Sequence, residues 1–150
     1  MLLRDFFSDD AVKLHLAARN KDDVLSELVE LLHPDDRATE TLLRVLKRRE
    51  ALGSTGVGRG IAIPHCRSLV IPRLRLAYGH SPAGIEYQAI DTRPVHDFFL
   101  IVAPPLEVSN QYLPVLGKIA QFAKEPGVGE ALAHLETPDQ FFKLLAEKGV

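Results

Sequence analysis

The sequence predicts a mixed α/β single domain, a central sheet with helices packed on its faces, spanning residues 1–150. Three observations predict it. Residues 11–17 and 69–81 alternate apolar with polar side chains at period two, the pattern of half-buried strands. Residues 95–102 are β-branched and aromatic, with no charge after Asp97, as expected of a strand covered on both faces. Between and after these, leucines and other apolar residues recur at helical spacing. The order is a strand, two helices, several strands and then helices, with no internal repeat or linker. Pairing order within the sheet does not follow from the pattern.

Each element has its own local reason. Val12, Leu14 and Leu16 share one face of the first strand, opposite Lys13 and His15. Asn20 is placed to cap the next helix, whose stripe is Val24, Leu25, Leu28, Val29, Leu31 and Leu32, and Pro34 closes it. A second helix is expected over 36–52, with Leu42, Leu43, Val45 and Leu46 facing the core and Gly53 just beyond its end. Lys47, Arg48 and Arg49 fall in its last turns, where cations complement the helix dipole. Leu74, Leu76 and Tyr78 alternate with Arg73, Arg75 and Ala77. Pro82-Ala83-Gly84 then reads as a turn, followed by a short extended piece, Ile85-Glu86-Tyr87. After Pro104-Pro105 a helix is expected over 109–124, burying Leu113, Leu116, Ile119, Ala120 and Ala123, with Pro114 near its first turn. A short helix over 128–135 follows Pro126-Gly127. Thr137, Pro138 and Gln140 form a capping box for a last helix docked by Phe141, Phe142, Leu144 and Leu145.

Composition narrows the function classes. With 46% hydrophobic and 25% charged residues the chain is globular rather than disordered. A net charge of −2 offers no broad basic field, so no nucleic-acid partner is expected. The run 98–103 is too short to cross a bilayer, and Asp5 interrupts the start before any signal-peptide pattern forms, so no membrane insertion and a cytoplasmic location are expected. The single cysteine, Cys66, has no disulfide partner, and its expected role is that of a small buried apolar residue. No histidine pair has metal-ligand spacing, so neither a metal nor a cofactor is expected.

The chemistry concentrates between Gly53 and Arg67. Four glycines within eight residues make a flexible loop, and Ile61-Ala62-Ile63 reads as a short strand ended by Pro64. His65 is thereby delivered at a strand end beside backbone N–H groups, hydroxyls and arginines. Neutral imidazole is nucleophilic near pH 7 and can carry a phosphoryl group in a labile N–P bond. Phosphoryl transfer otherwise demands positioning and neutralisation of charge, which such a loop can supply. The loop fits neither the P-loop nor the dinucleotide fingerprint.

The stretch Glu50-Ala51-Leu52-Gly53-Ser54-Thr55-Gly56-Val57-Gly58-Arg59-Gly60-Ile61-Ala62-Ile63-Pro64-His65-Cys66 resembles the phosphorylation-site signature of enzyme IIA domains of the bacterial phosphoenolpyruvate phosphotransferase system, mannitol/fructose type. Asp91-Thr92-Arg93-Pro94-Val95 leading into 98–104 is similar to that family's later strand, and the likeness covers nearly the whole chain. The Gly-Ser-Thr-Gly-Val-Gly run resembles the nitrogen-regulatory branch more closely. The resemblance implies a phosphotransferase whose His65 accepts a phosphoryl group from a histidine phosphocarrier protein. In regulatory members the phosphorylation state then governs a regulatory protein target; in sugar-specific members the group passes to a IIB domain. It also implies that Arg49 lies near the phosphoryl group and that Ser54, Thr55 and Gly56 belong to the phosphate-binding loop. Tyr112 stands where many members carry a second histidine. Its hydroxyl can donate to phosphate, or the ring can simply pack. A phosphorylation-independent binding module is the remaining alternative.

Overall fold

The computed structural model describes residues 1–150, and its centre is a six-stranded mixed sheet. After a 3₁₀ turn at Leu3–Phe6 come β1 (Phe7–Lys13), α1 (Lys21–Glu30), α2 (Asp36–Ala51), β2 (Gly56–Gly58), β3 (Ile61–Ala62), β4 (His65–Arg67), β5 (Arg75–Ile85), β6 (Val95–Ala103), α3 (Tyr112–Lys124), α4 (Val128–Ala133) and α5 (Pro138–Glu147). The strand order is β1-β5-β6-β3-β2, and β4 also pairs with β6. β5 runs antiparallel to β6, whereas β1 on β5 and both β3 and β4 on β6 are parallel.

β6 is the axis of the molecule and is covered on both faces, as its uncharged run predicts. On one side Phe98 meets the Tyr87 ring at 5.4 Å, and Tyr87 in turn contacts Lys21 of α1 and Glu50 of α2. On the other, Phe99 meets Tyr78, Phe122 of α3 and Phe141 of α5. Aromatic edge and offset contacts of this kind add about 0.5–1.5 kcal/mol per pair to simple burial. The buried apolar side chains form one contiguous cluster that takes in both faces.

The helix termini follow their local signals. The Asn20 side chain accepts from the Asp23 N–H, Asp35 caps α2 through Ala38, and the Thr137–Gln140 capping box is formed in full.

Differences from expectation have physical causes. The first strand lies at Phe7–Lys13 rather than 11–17. Leu14 and Leu16 keep their buried alternation beyond its end, and Leu16 is held by a backbone bond to His80. Pro82-Ala83-Gly84 does not end β5. The register shifts between His80 and Ile85, so the segment is accommodated as an irregularity within one long strand. α3 begins at Tyr112, not 109, and buries Val115, Ile119, Phe122 and Ala123; Leu113 is exposed because helical spacing puts it on the face opposite that stripe. Pro64 does not end pairing with β6: it separates two collinear pieces, β3 and β4, and its carbonyl accepts the Ile101 N–H.

Candidate functional site

Pro64 breaks the strand, and β4 restarts at His65 against Ile101 of β6. The ring is half-buried, and its Nδ1 lies 2.6 Å from the Ile63 carbonyl oxygen. A carbonyl only accepts, so Nδ1 carries the proton and the lone pair of the neutral ring sits on Nε2. Burial lowers the His65 pKa from its ordinary value. The bond to Ile63 opposes this, the Arg49 charge lowers it further and the Glu50 charge raises it, with a net shift downward. The neutral, nucleophilic ring is therefore the favoured form near neutral pH.

The C-terminal turn of α2 packs beside β4 and brings Arg49 to this ring. Arg49 Nη1 donates to the Gly53 carbonyl at 2.8 Å, and its charge acts on both His65 and Tyr112. Tyr112, the first residue of α3, has its ring centroid 5.9 Å from that of His65. The Arg67 guanidinium lies over the tyrosine ring at 4.5 Å and donates to the Pro104 and Ser109 carbonyls, tying the loop before α3 to β4. Burial raises the Tyr112 pKa, so its hydroxyl stays protonated and can donate. Burial also pushes the Cys66 thiol up to about 12, which leaves it inert at neutral pH.

The glycine loop is more ordered than its composition suggests. Gly56–Gly58 pairs with β3 as a hairpin whose turn, Arg59-Gly60, takes left-handed backbone conformations. Ser54 Oγ donates to the Tyr87 carbonyl at 2.7 Å and accepts the Gly56 N–H at 3.0 Å. The Thr55 N–H and hydroxyl both donate to the Glu50 carboxylate. The donors of Ser54, Thr55 and Gly56 thus face inward and shape the loop from behind. His65, Arg49 and Tyr112 are brought together at the surface.

Sequence reasoning missed Glu50, Lys21, Tyr87 and Arg67. Glu50 did carry a signal: it continues the Leu42–Leu46 stripe at the next helical repeat, a carboxylate where an apolar side chain is due.

His65 does not line the two clefts of about 600 and 670 Å³. The first lies between β2 and α3, and the second between residues 15–19 and 81–84. Leu52, at the end of the helix that carries Arg49, and Leu113, which follows Tyr112 in α3, are both exposed. A half-buried imidazole on an open surface beside exposed apolar groups suits a reaction with another macromolecule better than with an enclosed small molecule.

Comparison with known proteins follows the same line. Residues 5–148 match the family described as Phosphoenolpyruvate-dependent sugar phosphotransferase system, EIIA 2. A nitrogen regulatory protein of Pseudomonas aeruginosa is 32% identical over 108 residues, covering 72% of this chain and 70% of that one. The fructose-specific EIIABC component of Bacillus subtilis is 25% identical over 97% of this chain, which spans only 23% of that protein. The crystal structure of the nitrogen regulatory protein IIA-Ntr from Neisseria meningitidis superposes with a TM-score of 0.85 at 25% identity, covering 94% of this chain and 97% of that one. No helix here is long and apolar enough to cross a membrane.

Proposed function

Because the chain belongs to the EIIA 2 family of the phosphoenolpyruvate-dependent sugar phosphotransferase system, we propose that His65 accepts a phosphoryl group from a histidine phosphocarrier protein and that the chain acts as a nitrogen-regulatory type regulator in the cytoplasm. One observation carries the chemistry: the Nδ1–H bond to Ile63 leaves Nε2 as the free nucleophile. Nε2 attacks phosphorus, a new N–P bond forms, and the bond to the carrier's ring breaks with its electron pair returning to that ring. His65 keeps its Nδ1 proton throughout, and the Ile63 carbonyl stabilises the positive charge that the ring gains. Arg49 offsets the charge of the incoming group, and Tyr112 flanks it from α3. Ser54, Thr55 and Gly56 bound the phosphate-binding loop and hold its backbone in place.

The regulatory branch is favoured by the likeness to nitrogen regulatory proteins in sequence and in structure. The second reading is a sugar-specific component handing phosphate to a IIB domain, favoured by the match of nearly the whole chain to a fructose-specific EIIABC component.

The test is incubation with phosphoenolpyruvate, enzyme I and the phosphocarrier protein, read as intact mass under mildly alkaline conditions that preserve phosphohistidine. Wild type gains one phosphate and His65→Ala gains none. No gain by folded wild type beside a working control replaces this reading with a phosphorylation-independent binding module.

A further inference from the structure

A carboxylate at position 50 lies on the buried face of α2, one helical repeat beyond Leu46, and is only 8% exposed. A charge so placed is costly unless strong donors surround it. Four do, from three other segments. Lys21 Nζ at the start of α1 is 2.9 Å away, and the Tyr87 hydroxyl donates at 2.9 Å. The Thr55 N–H donates at 3.1–3.2 Å, and its hydroxyl donates as well. Lys21 also lies over the Tyr87 ring at 4.5 Å, closing the cluster.

Packing alone does not call for this arrangement, since apolar residues of similar volume usually replace buried ion pairs without loss of stability. What sets the cluster apart is where it leads. The Thr55 carbonyl accepts the Ile63 N–H at 3.0 Å, and the Ile63 carbonyl accepts the His65 Nδ1–H at 2.6 Å. Glu50 therefore fixes Thr55, Thr55 fixes Ile63, and Ile63 fixes the proton of the imidazole. Arg49 is the neighbouring residue on the same helical turn, so one anchor sets the distance between the guanidinium and the ring.

We propose that Glu50 is the positioning residue of this site, holding the His65 ring in its Nδ1–H tautomer through Thr55 and Ile63. This rests on the reading of His65 as the phosphoryl acceptor. Glu50 touches neither phosphate nor carrier. Lys21 and Tyr87 hold its carboxylate in place, aimed at Thr55.

Glu50→Gln preserves the shape and removes the charge. The expected result is a folded protein whose phosphorylation by the phosphocarrier slows roughly ten- to a hundredfold in kcat with KM unchanged, the size of loss that follows from a misplaced reacting group. A second readout is independent of transfer: ¹⁵N NMR of the His65 ring above its titration range. Wild type gives the Nδ1–H tautomer alone, and Glu50→Gln gives a mixture. Thr55→Val, which loses the hydroxyl, shifts both readouts the same way, while Thr55→Ser restores them. The double variant Glu50→Gln/Thr55→Val is no slower than Glu50→Gln alone, because the two residues act as one unit.

Wild-type kcat and a single tautomer in folded Glu50→Gln overturn the proposal and leave His65 as acceptor. Costs that multiply in the double variant also overturn it, since Thr55 then acts on phosphate by a separate route. If wild type gains no phosphate, the acceptor reading fails while the tautomer still decides the role of Glu50. Should Glu50→Gln not fold, Tyr87→Phe, which removes one donor from the carboxylate, supports the proposal with a mixed tautomer and overturns it with a single one.

Discussion

Two histidines in this fold have Nδ1 bonded within 2.7 Å of an oxygen, yet they sit in opposite circumstances. His65 is half-buried and donates to the neutral carbonyl of Ile63. His80 in β5 is only 9% exposed; its Nδ1 lies 2.7 Å from Asp97 Oδ1, which also accepts the Tyr78 hydroxyl at 2.5 Å. The second arrangement surrounds a buried carboxylate with donors and links β5 to β6 across the centre of the sheet. The first leaves one ring nitrogen uncommitted at the surface. A histidine whose partner is a backbone carbonyl keeps its second nitrogen for chemistry, whereas one locked to a buried carboxylate holds the fold together.

Breaking each histidine in turn separates the two roles. His65→Ala abolishes phosphate gain in the transfer assay, the largest effect expected. Its melt moves little, because only one part-buried hydrogen bond of about 1 kcal/mol is lost. Asp97→Ala does the reverse. It leaves the buried Tyr78 hydroxyl and the His80 N–H without an acceptor, which costs about 3 kcal/mol. In a chain of this size that lowers the melting temperature by roughly 6–12 °C. Below the melt, its rate of phosphorylation stays at the wild-type level. A calorimetric scan beside the transfer assay checks both, and a large loss of transfer in folded Asp97→Ala would erase the distinction.

The same contrast explains what was legible from residues alone. The Asn20 cap, the Thr137–Gln140 box and the uncharged run of β6 are local signals, and each appears where its sequence places it. His65 and the elements around it were legible for the same reason, as a loop, a proline and an imidazole contiguous in the chain. The cluster of Glu50, Lys21 and Tyr87 joins residues far apart in sequence, and no local pattern announces such pairings. The long β5 was masked by Pro82-Ala83-Gly84, because turn chemistry also fits a strand irregularity. The inward-facing donors of Ser54–Gly56 were hidden because a glycine-rich loop implies freedom, whereas Glu50 and Tyr87 remove it.

Within the surface site, Arg49 and Glu50 bias His65 in opposite directions. Arg49→Met slows phosphorylation roughly ten- to a hundredfold, the loss expected when a charge-assisted contact of about 1.5–3 kcal/mol to the phosphoryl group is removed. It also removes one cause of the lowered His65 pKa. With the neutral ring as the proposed nucleophile, transfer is expected to be full at high pH and lost as pH falls through the lowered value, below the ordinary 6.5. With Arg49 gone the His65 pKa rises, and the acid loss begins at higher pH. Rates measured across pH 5–8 in both proteins, alongside an NMR titration of the ring, check the direction; a profile unmoved or shifted to lower pH would show that the guanidinium does not act on His65.

Tyr112 gives the smallest effect. Tyr112→Phe keeps the ring beside His65 and beneath Arg67 and removes only the hydroxyl. If the hydroxyl donates to phosphate, the rate falls by about two- to tenfold, the worth of one neutral hydrogen bond. Tyr112→Ala removes the ring as well, which admits water to His65, raises its pKa toward the ordinary value and leaves the Arg67 guanidinium without its aromatic partner. The expected order of rates is wild type, then Phe, then Ala, with the His65 titration moved only in Ala. Equal rates for wild type and Tyr112→Phe would assign the residue to packing alone. Equal losses in Phe and Ala, with an unmoved titration, would assign its whole contribution to the hydroxyl and place the phosphoryl group on the α3 side of the ring.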